Sequence, residues 1–178
     1  LMNMIAGIYY PDEGKIYVDG KEVIIRSPKD AFGYKIGMIH QHFKLVDVFS
    51  ASENVILGTK DGKKFRIKDV NKTVLDICNK YGFNIDPKKK IHEMSVSEKQ
   101  TVEIIKVLYR GADILILDEP TAGLDPNERI RFRNLISEIS GDRIVLLSTH
   151  IVSDVEYIAN EILLMKKGSI IQEGTTEQ

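Results

Sequence analysis

Two short, unbroken aliphatic runs dominate the pattern of hydrophobic and polar positions along the chain. They occupy residues 114–117 and 144–147, and each is bounded by polar residues. Runs of this length predict strands that are covered on both faces of a parallel sheet. Residues 126–140 have the character of a crossover helix, with a proline near the first turn and a glycine after the end. Together with a strand predicted at 36–40, the pattern indicates an α/β fold.

A second part of the chain is predicted to be helical. A helix capped by Ser52 is expected at 52–57, a second one ends at Gly82, and a third follows Ser97 and runs to about residue 110. No strand-like run interrupts the middle of this region, so we expect a helical subdomain at approximately 50–110. The apolar positions that recur at helical spacing in the second helix are Val70, Val74, Ile77, Cys78 and Tyr81.

The first residues predict a turn-rich region with an antiparallel β hairpin. Strands at 15–18 and 22–25 flank Asp19-Gly20, a pair typical of tight hairpin turns.

The apolar residues at 1–5 resemble the middle of a buried helix without an N-cap, so we expect a segment to be missing upstream. We interpret 1–178 as a single domain that is incomplete at its N-terminus.

The composition is that of an ordinary globular domain, with 43% hydrophobic and 29% charged residues. The net charge of −1 produces no global field that would attract the chain to nucleic acid or to an anionic membrane.

Cys78 is the only cysteine, which excludes a disulfide framework and favours a reducing compartment. No aliphatic stretch approaches the ~20 residues that cross a bilayer. We interpret the lysine-rich stretch at 60–90 as a solvated face rather than a nucleic-acid contact.

Two acids, Asp118 and Glu119, stand directly after the first aliphatic run and are followed by Pro120. In parallel sheets, ligands bind beyond the carboxyl ends of the strands. One such acid can hold Mg²⁺, directly or through water, while its neighbour polarises an attacking water. The alternative is a strand that merely ends in two acids and a proline.

Polar residues also follow the two neighbouring strands. His150 comes after the second run, where it is either a loop residue or a contact to a transferring phosphate or attacking water. Gln41 follows the strand at 36–40, and it is either a polar loop residue or an amide that holds water or metal. A metal site built from His40, Gln41 and His42 is not expected, because alternate residues of a strand face opposite ways.

Two helix starts carry candidate polar residues. Ser95 and Glu98 have the spacing of a capping box. A helix N-terminus also binds anions through its free N–H groups, and both roles can hold at once. Asp125 precedes Pro126 and is expected to cap the crossover helix, which is its simplest role in isolation.

Taken in chain order, these residues resemble the ATPase subunit of an ABC transporter. The resemblance rests on Gln41, on the stretches MSVSEKQ, ILILDEP and AGLDP, and on His150, and it spans nearly the whole chain. It implies a P-loop NTPase-like fold and hydrolysis of ATP, with Mg²⁺, at the interface of two such domains. The roles it implies are Gln41 as the Q-loop glutamine and metal contact, Ser95 as the signature serine, Asp118 as the Walker B aspartate and Mg²⁺ ligand, Glu119 as the catalytic glutamate, Asp125 as the D-loop aspartate and His150 as the switch histidine.

The sequence departs from the family pattern in two places. It contains no G-x-x-x-x-G-K-[ST] phosphate-binding loop, so we expect the chain as given to be inactive alone. Ser97 stands where the signature motif usually has Gly, among the residues expected to contact nucleotide. Its Cβ would crowd the approach of the backbone to the γ-phosphate.

The type of transporter is ambiguous in the sequence. Residues 37–43, 52–58 and 94–122 resemble sugar and nucleoside importer subunits, whereas the chain from 123 onward resembles multidrug-type exporter ATPases. We expect import, with export or a binding-incompetent regulatory fragment as alternatives. The resemblance implies transmembrane permease subunits, a second ATPase subunit and, for an importer, a solute-binding protein as partners at the cytoplasmic face of the cell membrane.

Overall fold

The computed structural model describes residues 1–40, 44–59, 66–121 and 123–175. The helices are α1 (Met2–Ile5), α2 (Pro28–Gly33), α3 (Ala51–Ile56), α4 (Ile67–Tyr81), a 3-10 helix (Ile91–Glu93), α5 (Val96–Tyr109), α6 (Pro126–Ser140) and α7 (Val152–Ile158). The strands are β1 (Ile16–Val18), β2 (Lys21–Val23), β3 (Ile36–Ile39), β4 (Ile114–Asp118), β5 (Ile144–Ser148), β6 (Ile162–Lys166) and β7 (Ser169–Gly174). Among the described residues, no helix is long and apolar enough to cross a membrane.

Strands β3, β4 and β5 form a three-stranded parallel sheet in this order. Leu117 of β4 is in register with Ile39 of β3 and with Leu147 of β5. The carboxyl ends of the three strands therefore lie at one edge of the sheet. The predicted α/β fold with a parallel core is confirmed, and α6 is the expected crossover helix between β4 and β5.

The expectation that both aliphatic runs are covered on two faces is right for β4 and wrong for β5. The central residues of β4, including Ile116, are fully buried. No position of β5 is buried, and Ile144 is 59% exposed. Within the described part of the chain, β5 pairs with β4 on one side only. An aliphatic run alone therefore does not distinguish a central strand from one at the edge of a sheet.

The hairpin predicted near the N-terminus is present as the antiparallel pair β1–β2. Asp19 and Gly20 both have positive φ, 50° and 73°, as a type I′ turn requires. A second antiparallel hairpin, β6–β7, turns at Lys167 and Gly168, which have φ of 50° and 84°.

The first helix matches its prediction in part. A helix is present at α1 and none of its four residues is fully buried, but Met2 and Ile5 are partly buried and pack against buried residues. Full burial begins just after it, at Ala6, which is 4% exposed. The chain then turns at Gly7 with φ 73°, where a Cβ would overlap the carbonyl of Ser27.

The cap of α3 is Ser50 rather than the predicted Ser52. Glu53 stands three residues after Ser50, so both hydrogen bonds of a capping box form. Ser52 lies inside the helix and is fully buried. As predicted, α4 ends at Gly82, which has a left-handed φ of 69°. The helices α3 to α5 lie within 50–110, and their assignment as a subdomain of one domain over 1–178 stays a prediction.

The turn between α6 and β5 is tied to the end of α4 through Asp142. Its carboxylate accepts hydrogen bonds from Nζ of Lys80 and, at 3.1 and 3.2 Å, from the hydroxyl of Tyr81. The hydrogen bond from Lys80 holds the pKa of Asp142 below its usual value, although burial acts in the opposite direction. The contact thus joins the helical region to the turn that leads into the sheet.

Candidate functional site

The carboxyl edge of the sheet brings Glu119 and His150 together. The N–H of Glu119 donates a 2.9 Å hydrogen bond to the carbonyl of Ser148, the last residue of β5. Glu119 has φ 48°, a left-handed conformation that is uncommon for any residue except glycine. Its side chain contacts His150, whose Nδ1 lies 3.0 Å from Oε1 and 2.8 Å from Oε2. The structure therefore joins two residues that the sequence analysis selected separately.

The two side chains differ in exposure. The side chain of His150 is 77% exposed, whereas that of Glu119 is 28% exposed. When Glu119 is ionised it can only accept, so Nδ1 of His150 must carry the proton of this hydrogen bond. In the neutral imidazole, Nε2 is then left as an acceptor. The pair can orient a carboxylate toward a water molecule at the surface of the sheet edge.

Asp118 occupies the last position of β4, in register with Ser148, and is partly buried. The described residues contain no group of three or more His, Cys, Asp or Glu side chains that could hold a metal ion. Mg²⁺ usually keeps several waters and binds one or two carboxylates together with substrate phosphates. The single carboxylate of Asp118 fits that mode of binding and does not fit an all-protein cage.

His40, which follows β3, lies close enough to Asp118 for their charges to interact. Partial burial, assisted by Lys44, holds the pKa of His40 below its usual value, although Glu103 and Asp118 act in the opposite direction. The imidazole next to the sheet edge is therefore favoured in its neutral form. Gln41 lies outside the described residues, and its role as a water or metal contact stays a prediction.

Ser95 and Asp125 are helix caps, as the sequence predicts. Ser95 Oγ accepts from the N–H of Glu98 at 3.2 Å, and the N–H of Ser95 donates to Oε2 of Glu98 at 2.7 Å, which completes a capping box. Oδ1 of Asp125 accepts from the N–H of Glu128 at 2.9 Å at the start of α6. Their further roles at a nucleotide stay predictions.

Ser95 and Ser97 lie apart from the contact between Glu119 and His150. Both serines line a cleft of about 810 Å³ between the start of α5, the loop at 82–85 and α6. The residues of this cleft do not include Asp118, Glu119 or His150. Ser95 and Ser97 therefore lie in the cleft, whereas Asp118, Glu119 and His150 lie at the sheet edge.

Three buried polar residues around Glu119 were missed by the sequence analysis. Gln100 of α5 donates from Nε2 to the carbonyl of Pro120, and it is 5% exposed. Thr121 donates to the carboxylate of Asp154, and both side chains are buried. The sequence contained only a weak signal for them. Gln100 is a polar residue one turn before the buried Ile104 in α5, and Thr121 directly follows the two acids and the proline.

Comparison with known proteins agrees with this architecture. The family model described as "ABC transporter" matches residues 1–122. The nucleoside import ATP-binding protein NupA of Lactococcus lactis is 42% identical over 177 residues, which cover 96% of this chain and 34% of that protein. The guanosine import ATP-binding protein NupO of Bacillus subtilis is 53% identical over 131 residues, 72% of this chain and 26% of that protein.

A solved structure shows the same fold. The structure of cbiO1 from Clostridium perfringens, described as part of the ABC transporter complex cbiONQ, superposes with a TM-score of 0.83 at 27% identity and covers 98% of this chain and 71% of that one. The chain belongs to the family of ABC transporter ATP-binding domains. It spans about a third or less of the length of NupA and NupO.

Proposed function

We propose that the chain is part of an ATP-hydrolysing subunit that powers import of a nucleoside or sugar across the cytoplasmic membrane. The observation that carries the proposal is the contact between His150 and Glu119 at the carboxyl edge of the parallel sheet. Support for import comes from NupA and NupO, which are nucleoside and guanosine import proteins.

In the proposed reaction Glu119 is the general base. Its carboxylate accepts a proton from a water molecule while the water oxygen forms a bond to the γ-phosphorus and ADP leaves. His150 orients the carboxylate through Nδ1, and His150 and Gln41 complete the surroundings of the γ-phosphate. Asp118 would hold Mg²⁺, which when bound neutralises charge on the phosphate oxygens.

Ser95, Ser97 and Asp125 are proposed to act at the interface with a second ATPase subunit. The cleft that contains Ser95 is separate from the sheet edge, which supports action on a nucleotide held by the other subunit. Ser95 Oγ accepts from the N–H of Glu98, so its own proton remains available for a phosphate oxygen. Ser97 adds a Cβ where a close backbone approach is expected, and Asp125 positions the start of α6.

We further propose that the 178-residue chain alone neither binds Mg-ATP tightly nor hydrolyses it, because it contains no G-x-x-x-x-G-K-[ST] sequence. The comparison is with a complete subunit, meaning an ATP-binding domain that contains these residues together with a phosphate-binding loop and the rest of its N-terminal part. Calorimetric titration of the 178-residue chain and of the complete subunit with Mg-ATP measures whether each of them binds the nucleotide. Stoichiometric tight binding by the 178 residues would contradict this part of the proposal, and absence of ATPase activity in the complete subunit would contradict the whole.

The proposed partners are transmembrane permease subunits at the cytoplasmic face of the membrane, a second ATPase subunit and a solute-binding protein, without nucleic acid. Export of the multidrug type is the alternative, based on the chain from residue 123 onward. The match to NupA over 96% of the chain favours import. Vesicles that contain the complete transporter, with this subunit and ATP on the inside, should accumulate a labelled nucleoside or sugar from the outside. Extrusion of a drug without uptake of either solute would favour export.

A further inference from the structure

A buried hydrogen bond joins the two segments that carry Glu119 and His150. Thr121, two residues after Glu119, donates through Oγ1 to Oδ2 of Asp154, four residues after His150. The two side chains are 1% and 0% exposed. The hydrogen bond therefore joins the segment after β4 to the first turn of α7, and each segment carries one member of the Glu119–His150 contact.

The carboxylate of Asp154 is also approached from α6. Oδ1 of Asp154 lies 3.8 Å from Nε of Arg133. The guanidinium of Arg133 donates to the carbonyl of Ser153 at 3.1 Å and lies 5.0 Å from the centre of the Tyr157 ring. A buried carboxylate is costly unless its partners are held in place. The start of α7 is thus fixed against both α6 and Thr121.

The position of His150 depends on its backbone, since its side chain is 77% exposed. On one side, Ser148 accepts the hydrogen bond from the N–H of Glu119. On the other, the N–H of Ile151 donates to Oγ1 of Thr149 at 3.1 Å, and the N–H of Asp154 donates to the carbonyl of Ile151 at 3.0 Å. The hydrogen bond from Thr121 to Asp154 fixes the far end of this short segment, residues 148–154.

We propose that Thr121 and Asp154 are positioning residues of the hydrolytic site, whose hydrogen bond holds the segments of Glu119 and His150 in contact. The inference rests on the proposed function, because it assigns a task to residues that do not touch the substrate. This positioning role requires a hydroxyl group at position 121, and it does not require the methyl group of the threonine.

The first test compares Thr121→Val with Thr121→Ser in the complete subunit. Valine has nearly the shape of threonine without the hydroxyl, so kcat for ATP hydrolysis should fall about tenfold while KM changes less than about twofold. Serine retains the hydroxyl and should restore kcat to within about twofold of the original. Equal rates in all three proteins would overturn the proposal, as would an equal loss in the serine variant.

Thr73→Val is the matched control, because it makes the same change at an exposed position of α4, where the hydroxyl donates to the carbonyl of Asp69 at 3.1 Å. Thr73 lies outside the residues that line the cleft of Ser95 and Ser97, and its variant should leave kcat unchanged. A loss of kcat in Thr73→Val equal to that in Thr121→Val would show a general effect of removing a threonine hydroxyl and overturn the positioning role.

A double variant separates positioning from structure. If Thr121 acts through Glu119, then Thr121→Val should cause no further loss in a Glu119→Gln background. A second loss of about tenfold there would overturn the proposal.

A further readout does not depend on hydrolysis. In the 178-residue chain at constant pH, the ring resonances of His150 report its contact with Glu119 by NMR. Thr121→Val should move them toward their position in Glu119→Gln, and Thr121→Ser and Thr73→Val should not. Unmoved resonances in Thr121→Val would overturn the inference. A complete subunit without ATPase activity would instead overturn the proposed function, and the NMR result would still decide the positioning role.

Discussion

The N–H of Glu119 donates a 2.9 Å hydrogen bond to the carbonyl of Ser148, across the ends of two parallel strands. Since Glu119 has φ 48°, the chain turns away from the sheet immediately after this hydrogen bond. The left-handed turn places the carboxylate against His150. A residue in this conformation typically carries strain of order 1–3 kcal/mol, which the surrounding structure must offset. The hydrogen bonds next to Glu119 are those from its own N–H to Ser148, from Gln100 to Pro120 and from Thr121 to Asp154.

Gly37 of β3 is predicted to tolerate no side chain. A Cβ at this position would overlap Cγ1 of Val107 in α5 and approach Cβ of Ala112 to 3.3 Å. Val107 is β-branched and therefore stiff within a helix. Gly37→Ala should lower the free energy of unfolding by about 1–3 kcal/mol, measured by urea denaturation.

Gly33→Ala is the control for that change. It lies at the end of α2, and a Cβ there would meet no atom within 4 Å. We expect its free energy of unfolding to stay the same or to rise slightly. Equal stability of the two alanine variants would contradict the close packing of β3 on α5.

Ser95 should contribute to stability independently of any nucleotide. Because its hydroxyl caps α5 and completes a capping box with Glu98, Ser95→Ala should cost about 1 kcal/mol in the free energy of unfolding. Ser97→Ala, two residues further along, removes the same hydroxyl from outside the cap and should change stability by less than about 0.5 kcal/mol. Thermal unfolding of both variants checks this, and the reverse order would show that the cap is misassigned.

Asp142 should make stability depend on pH in the acid range. Its pKa is held below the usual value of 3.8, chiefly by the hydrogen bond from Lys80. A carboxyl whose pKa is lower in the folded state stabilises the fold above its unfolded pKa, and this contribution is lost as the pH falls through the folded pKa. The difference in unfolding free energy between the original chain and Asp142→Asn should therefore be present near neutrality and shrink below pH 3.8.

The control for Asp142 is Asn79→Ala, at an exposed position of α4 that carries no titratable group. Its stability difference from the original chain should not vary with pH. Urea denaturation over a series of pH values measures both. A difference for Asp142→Asn that persists unchanged well below pH 3.8 would contradict a lowered pKa.

The sequence predicted those features that depend on local chemistry. Asp19-Gly20 adopts the predicted turn, Ser95 and Asp125 cap their helices, and the aliphatic runs pair in parallel. Because the carboxyl ends of parallel strands share an edge, Glu119 and His150 could be placed near each other without coordinates. The topology of the sheet places both residues at one edge, and the left-handed turn at Glu119 brings their side chains into contact.

Features that depend on packing between distant segments were not predictable from the pattern. The cap at Ser50 is the exception, because Glu53 three residues later is a local capping-box signal that the prediction of Ser52 overlooked. The exposure of β5 depends on how many neighbours a strand has, which its sequence does not reveal. The pairing of Thr121 with Asp154 joins residues 33 positions apart, and neither carries a recognisable motif on its own.

The central claim is that Glu119 is the general base of ATP hydrolysis, and Glu119→Gln in the complete subunit tests it most directly. Steady-state hydrolysis should fall roughly 10²- to 10⁴-fold while ATP binding is retained, because the amide keeps the shape of the side chain but accepts no proton. Glu156→Gln, at an exposed position of α7, is the control and should leave the rate unchanged. Unaltered turnover in Glu119→Gln would remove Glu119 from this role.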